Sequence, residues 1–289
     1  MDARKSLGTA GGVAVPVAIV KYAILAALLV FIIAPIVFMI TASFMPARDI
    51  ISMPYPWVPR SFYTENFLKA IAGNDRTYLF FRSFINSLIV AAVVTVTTIL
   101  IASLTGYSLS KFSFPGRDLV FMLIMATMMI PFETIMIPLQ QVSVQLKLQN
   151  SYGGMILPFL VDAFGIFMMR QYFVTFPDEF IDAARVDGMG EFSIYRKILL
   201  PNAGPAIATL SILTFRSQWD NLIWPLLVVQ SERMKTLPLY IMKFTGDINS
   251  DEGSQMAVAL LASIPMLILF FSMSKYFISG SAVYSSRKG

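Results

Sequence analysis

Apolar residues fill six long stretches of this chain, and the polar residues collect between them. A helix needs about 20 mostly apolar residues to cross a bilayer core. The qualifying stretches run approximately over residues 17–44, 84–109, 119–139, 152–172, 203–229 and 255–278. The pattern predicts an all-α polytopic membrane protein with six transmembrane helices, the whole of 1–289 forming one transmembrane domain. The polar segment 46–82 sets Pro54, Pro56 and Pro59 around Trp57, the composition of a rigid loop at the membrane interface. A second polar segment, 230–254, carries Glu232, Arg233, Lys235, Lys243, Asp247, Asp251 and Glu252, and Phe114-Pro115-Gly116-Arg117 forms a tight connection between spans two and three.

The connection at 177–201, PDEFIDAARVDGMGEFSIYRKILLP, is of another kind. Asp178, Glu179, Asp182, Arg185, Asp187, Arg196 and Lys197 make it polar, while Phe180, Ile181, Ala184, Phe192, Ile194 and Ile198 give it apolar faces. It reads as a short helix, a glycine break and a second amphipathic helix ending at a proline. Two spans can be joined with far less, so helical structure here points to contact with another protein. Ala183 and Ala184 let a helix approach a partner closely, and Gly188 turns sharply without a Cβ penalty. Pro201 is tolerated in the first turn of a following helix. The other reading, a helix lying on the lipid headgroups, fits poorly because the segment's acids are repelled by an anionic surface.

The spacing Asp182-Ala183-Ala184, Gly188, then Ile198, Leu200 and Pro201 resembles the EAA loop of ABC importer permeases, E-A-A-x-x-x-G-x(9)-I-x-L-P, with Asp182 in place of the glutamate. In span five, Trp219-Asp220-Asn221-Leu222-Ile223-Trp224-Pro225 is similar to the W-N-x-F-x-x-P pattern of the carbohydrate-uptake branch, with Asp220 for the asparagine and Leu222 for the aromatic. Met129-Ile130-Pro131, Pro138-Leu139 and Asn150-Ser151-Tyr152 extend the likeness over most of the chain from about Asn86 onward. The chain thus looks like a MalG-type permease of the maltose family. That resemblance implies a type I importer permease fold and alternating access driven by ATP. The implied partners are a second homologous permease subunit, two ATP-binding cassette subunits, an extracytoplasmic solute-binding protein and a carbohydrate-like solute. It also implies that Asp182, Ala183, Ala184, Arg185, Asp187, Gly188, Ile198, Leu200 and Pro201 couple to an ATPase, and that ATP and Mg are held by that partner.

Composition narrows the chemistry. The chain is 56% hydrophobic and 13% charged, about half the charge of a soluble domain. Its net charge of +5 is the basic excess of cytoplasmic loops, with no call for nucleic acid. Placing Arg4, Lys5, Lys111, Arg117, Arg185, Arg196, Lys197, Arg287 and Lys288 inside puts both termini in the cytoplasm of a bacterial cell, at its inner membrane. Cysteine and histidine are absent, which removes thiolate and imidazole chemistry and most zinc and haem sites, so no metal or cofactor is expected. No G-x-x-x-x-G-K-[ST] loop occurs and no nucleophile has a supporting base, so the chain reads as a non-enzyme.

Ionisable groups at membrane depth mark a pathway or a partner contact. Span five holds Arg216, Ser217, Gln218, Trp219, Asp220 and Asn221. Arg216 and Asp220 either neutralise each other at a subunit interface or join Trp219 and Asn221 on a solute path, where a flat indole beside polar side chains suits a sugar. Glu133 either faces that path or caps a broken helix. The alternative function is a six-span channel or ion-coupled carrier using Glu133, Asp162 and Asp220.

Overall fold

The structure, a computed structural model, describes residues 11–73, 76–245 and 251–285, with side chains described within 17–73, 76–245 and 251–274. Arg4, Lys5, Arg287 and Lys288 of the charge reading, and Asp247 of the polar segment 230–254, lie outside the described residues. Every regular element among those described is a helix.

Helix α1 (Gly11–Ser43) lies at the periphery and packs on the last helix. A short helix α2 (Glu65–Ala72) follows, and then α3 (Phe80–Lys111), the axis of the molecule. One face of α3 is a buried row of small residues, Ser87, Ala91, Thr98, Ala102 and Gly106 among them. Lipid gives no hydrophobic drive for helices to pair, so close backbone approach has to supply the contact. A Cβ on Gly106 would stand 2.8 Å from the Arg170 backbone nitrogen, and one on Gly165 would stand 3.3 Å from the Ala102 Cβ. Glycine at both positions is what lets α3 meet its neighbour.

Three of the expected spans are bent rather than straight. Span three is α4 (Arg117–Thr127) and α5 (Phe132–Gln145), which meet at 94°. Pro131 forces the break: it lacks an N–H and disfavours the helical conformation at Ile130. Span four is α6 (Tyr152–Phe159) and α7 (Ala163–Val174), at 44°. The segment 177–201 supplies α8 (Asp178–Val186) and α9 (Glu191–Asn202). Pro201 closes α9 instead of opening the next helix, and α10 (Gly204–Trp219) leaves it at 78° with Pro205 in its own first turn. The expected span 203–229 stops at Trp219 and resumes as α11 (Ile223–Val228). Continuous helix through this point would drive the Pro225 ring into the Asn221 carbonyl, whereas a break at 220–222 puts the proline in a first turn. A short α12 (Leu237–Ile241) and the long α13 (Glu252–Ser285) complete the chain. Among the described residues, three helices are long and apolar enough to cross a membrane, and six spans result if each bent pair counts as one.

Candidate functional site

The segment 177–201 packs into a core that it shares with α3, α7 and α10. Asp178 and Glu179 sit in the first turn of α8 and Arg185 in the last, which suits the helix dipole at both ends. The helix closes with two bonds, Met189 N–H to the Ala184 carbonyl at 2.9 Å and Gly188 N–H to the Arg185 carbonyl at 3.0 Å. This Schellman arrangement needs a left-handed residue, and Gly188 has φ +78°. Ile181 and Ala184 are buried with Ile194 and Leu199, against Tyr107 of α3 and Phe173 of α7. Asp182, Ala183 and Asp187 stay exposed, beside exposed Phe180, Val186 and Phe192. A Cβ on Gly188 would meet nothing within 4 Å. Ile198 and Leu200 are half-buried and Pro201 is exposed.

Charged side chains tie this segment to the end of α3. Arg185 donates to Asp182 at 3.1 Å and to Glu191 at 2.8 Å, and the other Glu191 oxygen accepts from the Tyr107 hydroxyl at 2.5 Å. Lys111 donates to the Phe176 carbonyl and to Asp178, both at 2.6 Å. Ser103 and Tyr195 share a hydrogen bond of 2.7 Å. Sequence reasoning passed over Glu191 and Tyr107. They stand 84 residues apart, and no local spacing joins them.

The breaks in the other spans surround a cavity of about 380 Å3. Thr98 of α3, Phe132 of α5, Phe159 and Asp162 at the α6–α7 break, and Ser217 and Gln218 of α10 line it. Asp162 caps α7, accepting from the Phe164 and Gly165 N–H groups at 3.1 Å each. Gln218 is 8% exposed, and its Oε1 has no hydrogen-bond partner.

Glu133, Arg216, Trp219, Asp220 and Asn221, expected on a solute path, do not line this cavity. Trp219 does not face this cavity: it is 4% exposed, its ring stacks on Phe215 at 5.6 Å, and its N–H donates to the Ala262 carbonyl at 3.0 Å. Arg216 and Asp220 lie 3.6 Å apart with both side chains largely exposed. Asn221 accepts the Trp224 N–H at 3.3 Å and so starts α11. Glu133 is exposed in the first turn of α5. Glu133, Asp162 and Asp220 do not cluster as a metal site, and no such cluster occurs among the described residues. Thr214, Ser217 and Gln218 line the cavity with Asp162, and their polarity within an apolar helix is the signal that marks them.

Residues 98–280 match the family described as "Binding-protein-dependent transport system inner membrane component". The chain is 34% identical over 266 residues to the arabinooligosaccharides transport system permease protein AraQ of Halalkalibacterium halodurans, covering 91% of this chain and 93% of that one. It is 33% identical over 257 residues to the sn-glycerol-3-phosphate transport system permease protein UgpE of Rhizobium meliloti, covering 87% and 91%. Among solved structures, a chain from a bacterial ABC transporter involved in the import of the acidic polysaccharide alginate superposes with a TM-score of 0.81 at 24% identity, covering 94% of this chain and all of that one. That likeness shows the fold.

Proposed function

The chain belongs to the family of binding-protein-dependent transport-system inner-membrane components, and from that premise we propose that it is the MalG-type permease half of a carbohydrate importer. Its partners are a second homologous permease, two ATP-binding cassette subunits that hold ATP and Mg, and an extracytoplasmic solute-binding protein. Both termini and the 177–201 segment face the cytoplasm. Asp182, Ala183, Asp187 and Gly188 form the face that docks on an ATPase, with Ile198, Leu200 and Pro201 completing the helix behind it. Closure of the ATPases moves α8 and α9 as one piece, and α3 and α10 tilt with them to switch the cavity between the two sides. Arg216, Trp219, Asp220, Asn221 and Glu133 border the solute path, Trp219 by fixing α10 against α13 rather than by touching solute. The relatives named for arabinooligosaccharides and for glycerol phosphate frame the solute as polyhydroxylated, either neutral or anionic.

One observation carries this reading: α8 is packed through Ile181 and Ala184 into a core shared with α3 and α7, while its acid-alanine face and the Gly188 turn project into open space. Gly188→Trp is expected to leave the complex assembled and to abolish solute-stimulated ATP hydrolysis. Gly188→Asn, which tolerates the left-handed conformation, is expected to retain more of it. Normal stimulation in the tryptophan variant removes the docking role, and transport by the chain without any ATPase removes the importer reading.

A further inference from the structure

We propose that the cavity between α3, α5 and α10 is a solute subsite that accepts neutral polyhydroxy compounds and rejects phosphate-bearing ones. The proposal rests on the importer reading and adds the solute's charge to it. The wall presents acceptors. Gln218 Oε1 is buried without a donor, and a buried amide oxygen is costly to leave unpaired. Asp162 uses its oxygens on two backbone N–H groups, and a carboxylate has further lone pairs to offer. A ligand rich in O–H donors satisfies both. The rings of Phe132 and Phe159, which stack in a tilted pair at 5.2 Å, supply apolar surface for the C–H faces of a sugar.

A phosphate finds no cation here to balance its charge. It is an acceptor, and no lysine or arginine lines the cavity among the described residues. The N–H groups that begin α7 would hold an anion, but the chain's own Asp162 already takes them. Arg216, one residue from the wall, pairs instead with Asp220.

The chain contains no cysteine, so Ser217→Cys puts a single thiol on the cavity wall. In the assembled transporter in proteoliposomes, arabinotriose is expected to protect that thiol from a neutral maleimide, and sn-glycerol 3-phosphate at the same concentration to leave the labelling rate unchanged. Adding Gln218→Leu is expected to weaken protection about tenfold, the loss of one hydrogen bond to a desolvated group. Should the leucine variant fail to assemble, Gln218→Met removes the same acceptor with nearly the same shape. Asp162→Asn keeps the helix cap and is expected to speed labelling by a negatively charged thiosulfonate several-fold. Protection by glycerol phosphate, protection by neither solute, or protection that survives loss of the Gln218 acceptor overturns the subsite, and an unchanged thiosulfonate rate overturns the exclusion by charge. Copurification of the ATPase subunit with each variant reads the importer assignment separately. Lost protection with retained copurification removes the subsite alone.

Discussion

The two ends of the molecule are fastened by different chemistry. At the end that carries 177–201, charged side chains brace α8 and α9 over a buried apolar core: Lys111 of α3 pairs with Asp178, and Arg185 pairs within the segment with Asp182 and Glu191. Asp178 and Asp182 are largely exposed, although the Lys111 side chain is buried. At the opposite end the buried ties are neutral amides and hydroxyls closing on backbone groups. Asn86, fully buried, donates to the Arg233 and Lys235 carbonyls at 2.9 Å each and accepts from the Tyr152 hydroxyl at 2.6 Å. Asn66 donates to the Ser43 and Met45 carbonyls, and Asn150 accepts from the Ser231 N–H and hydroxyl. An exposed ion pair is worth well under about 1 kcal/mol and rearranges freely, whereas a buried polar group left unpaired costs about 1–3 kcal/mol. The far end is therefore a clamp, and the loop end is a joint whose exposed ion pairs can rearrange over a buried apolar core.

The largest test of this contrast is Asn86→Leu. It strips partners from two carbonyls and a tyrosine hydroxyl, and destabilisation of about 3 kcal/mol or more is expected, read as lower resistance to thermal unfolding in detergent and a poor folded yield. Gly106→Ala comes next, because its new Cβ would press on the Arg170 backbone and the Met169 side chain, where no flexible tip can yield. Overpacking of about 1–3 kcal/mol is expected on the same assay. Glu191→Gln should change stability by less than about 1 kcal/mol yet lower solute-stimulated ATP hydrolysis by the complex, since it uncouples Arg185 from Tyr107. A large stability loss in that variant would make the loop end a clamp as well. Asn86→Leu combined with Glu191→Gln should be additive in stability to within about 0.5 kcal/mol, as expected of sites with no shared partner.

The sequence made the joint legible and the clamp illegible. Gly188 could be read because acid-alanine helix, glycine turn and proline stop lie within one segment, and a left-handed turn there leaves few choices of residue. Asn86, Asn66 and Asn150 carry no local signal, since their partners are backbone groups of other segments and any residue has a carbonyl to offer. Hydropathy located the spans because burial in lipid is a property of long averages. The same averaging hid the breaks, although Pro131, Pro201 and Pro225 each announced one. Asp162 looked like a stray membrane acid until its place just ahead of α7 explained it as a cap. The tryptophan-rich stretch showed that indoles stand beside amides but not which way they face. Both indoles turned inward, Trp219 to the Ala262 carbonyl and Trp224 to that of Gly154.

The smallest effect tests whether charge plays any part in the clamp. Glu232 holds the strap Glu232–Met234 against α12 by pairing with Lys235 and with Lys243, and these two ammonium groups keep its carboxyl below the ordinary glutamate range. A lowered folded value means the contribution is fully present above the unfolded value of about 4.3 and is lost as pH falls through the folded one. Half of the Glu232 side chain is exposed, so solvent screens the pair. Amide exchange over residues 232–245 should therefore quicken slightly below about pH 4, after correction for the intrinsic rate, while the segment around Asn86 stays protected. Glu232→Gln should abolish the change. If the Asn86 segment loosens over the same pH range, the strap's charges hold the clamp shut and the two ends differ less than their hydrogen bonds imply.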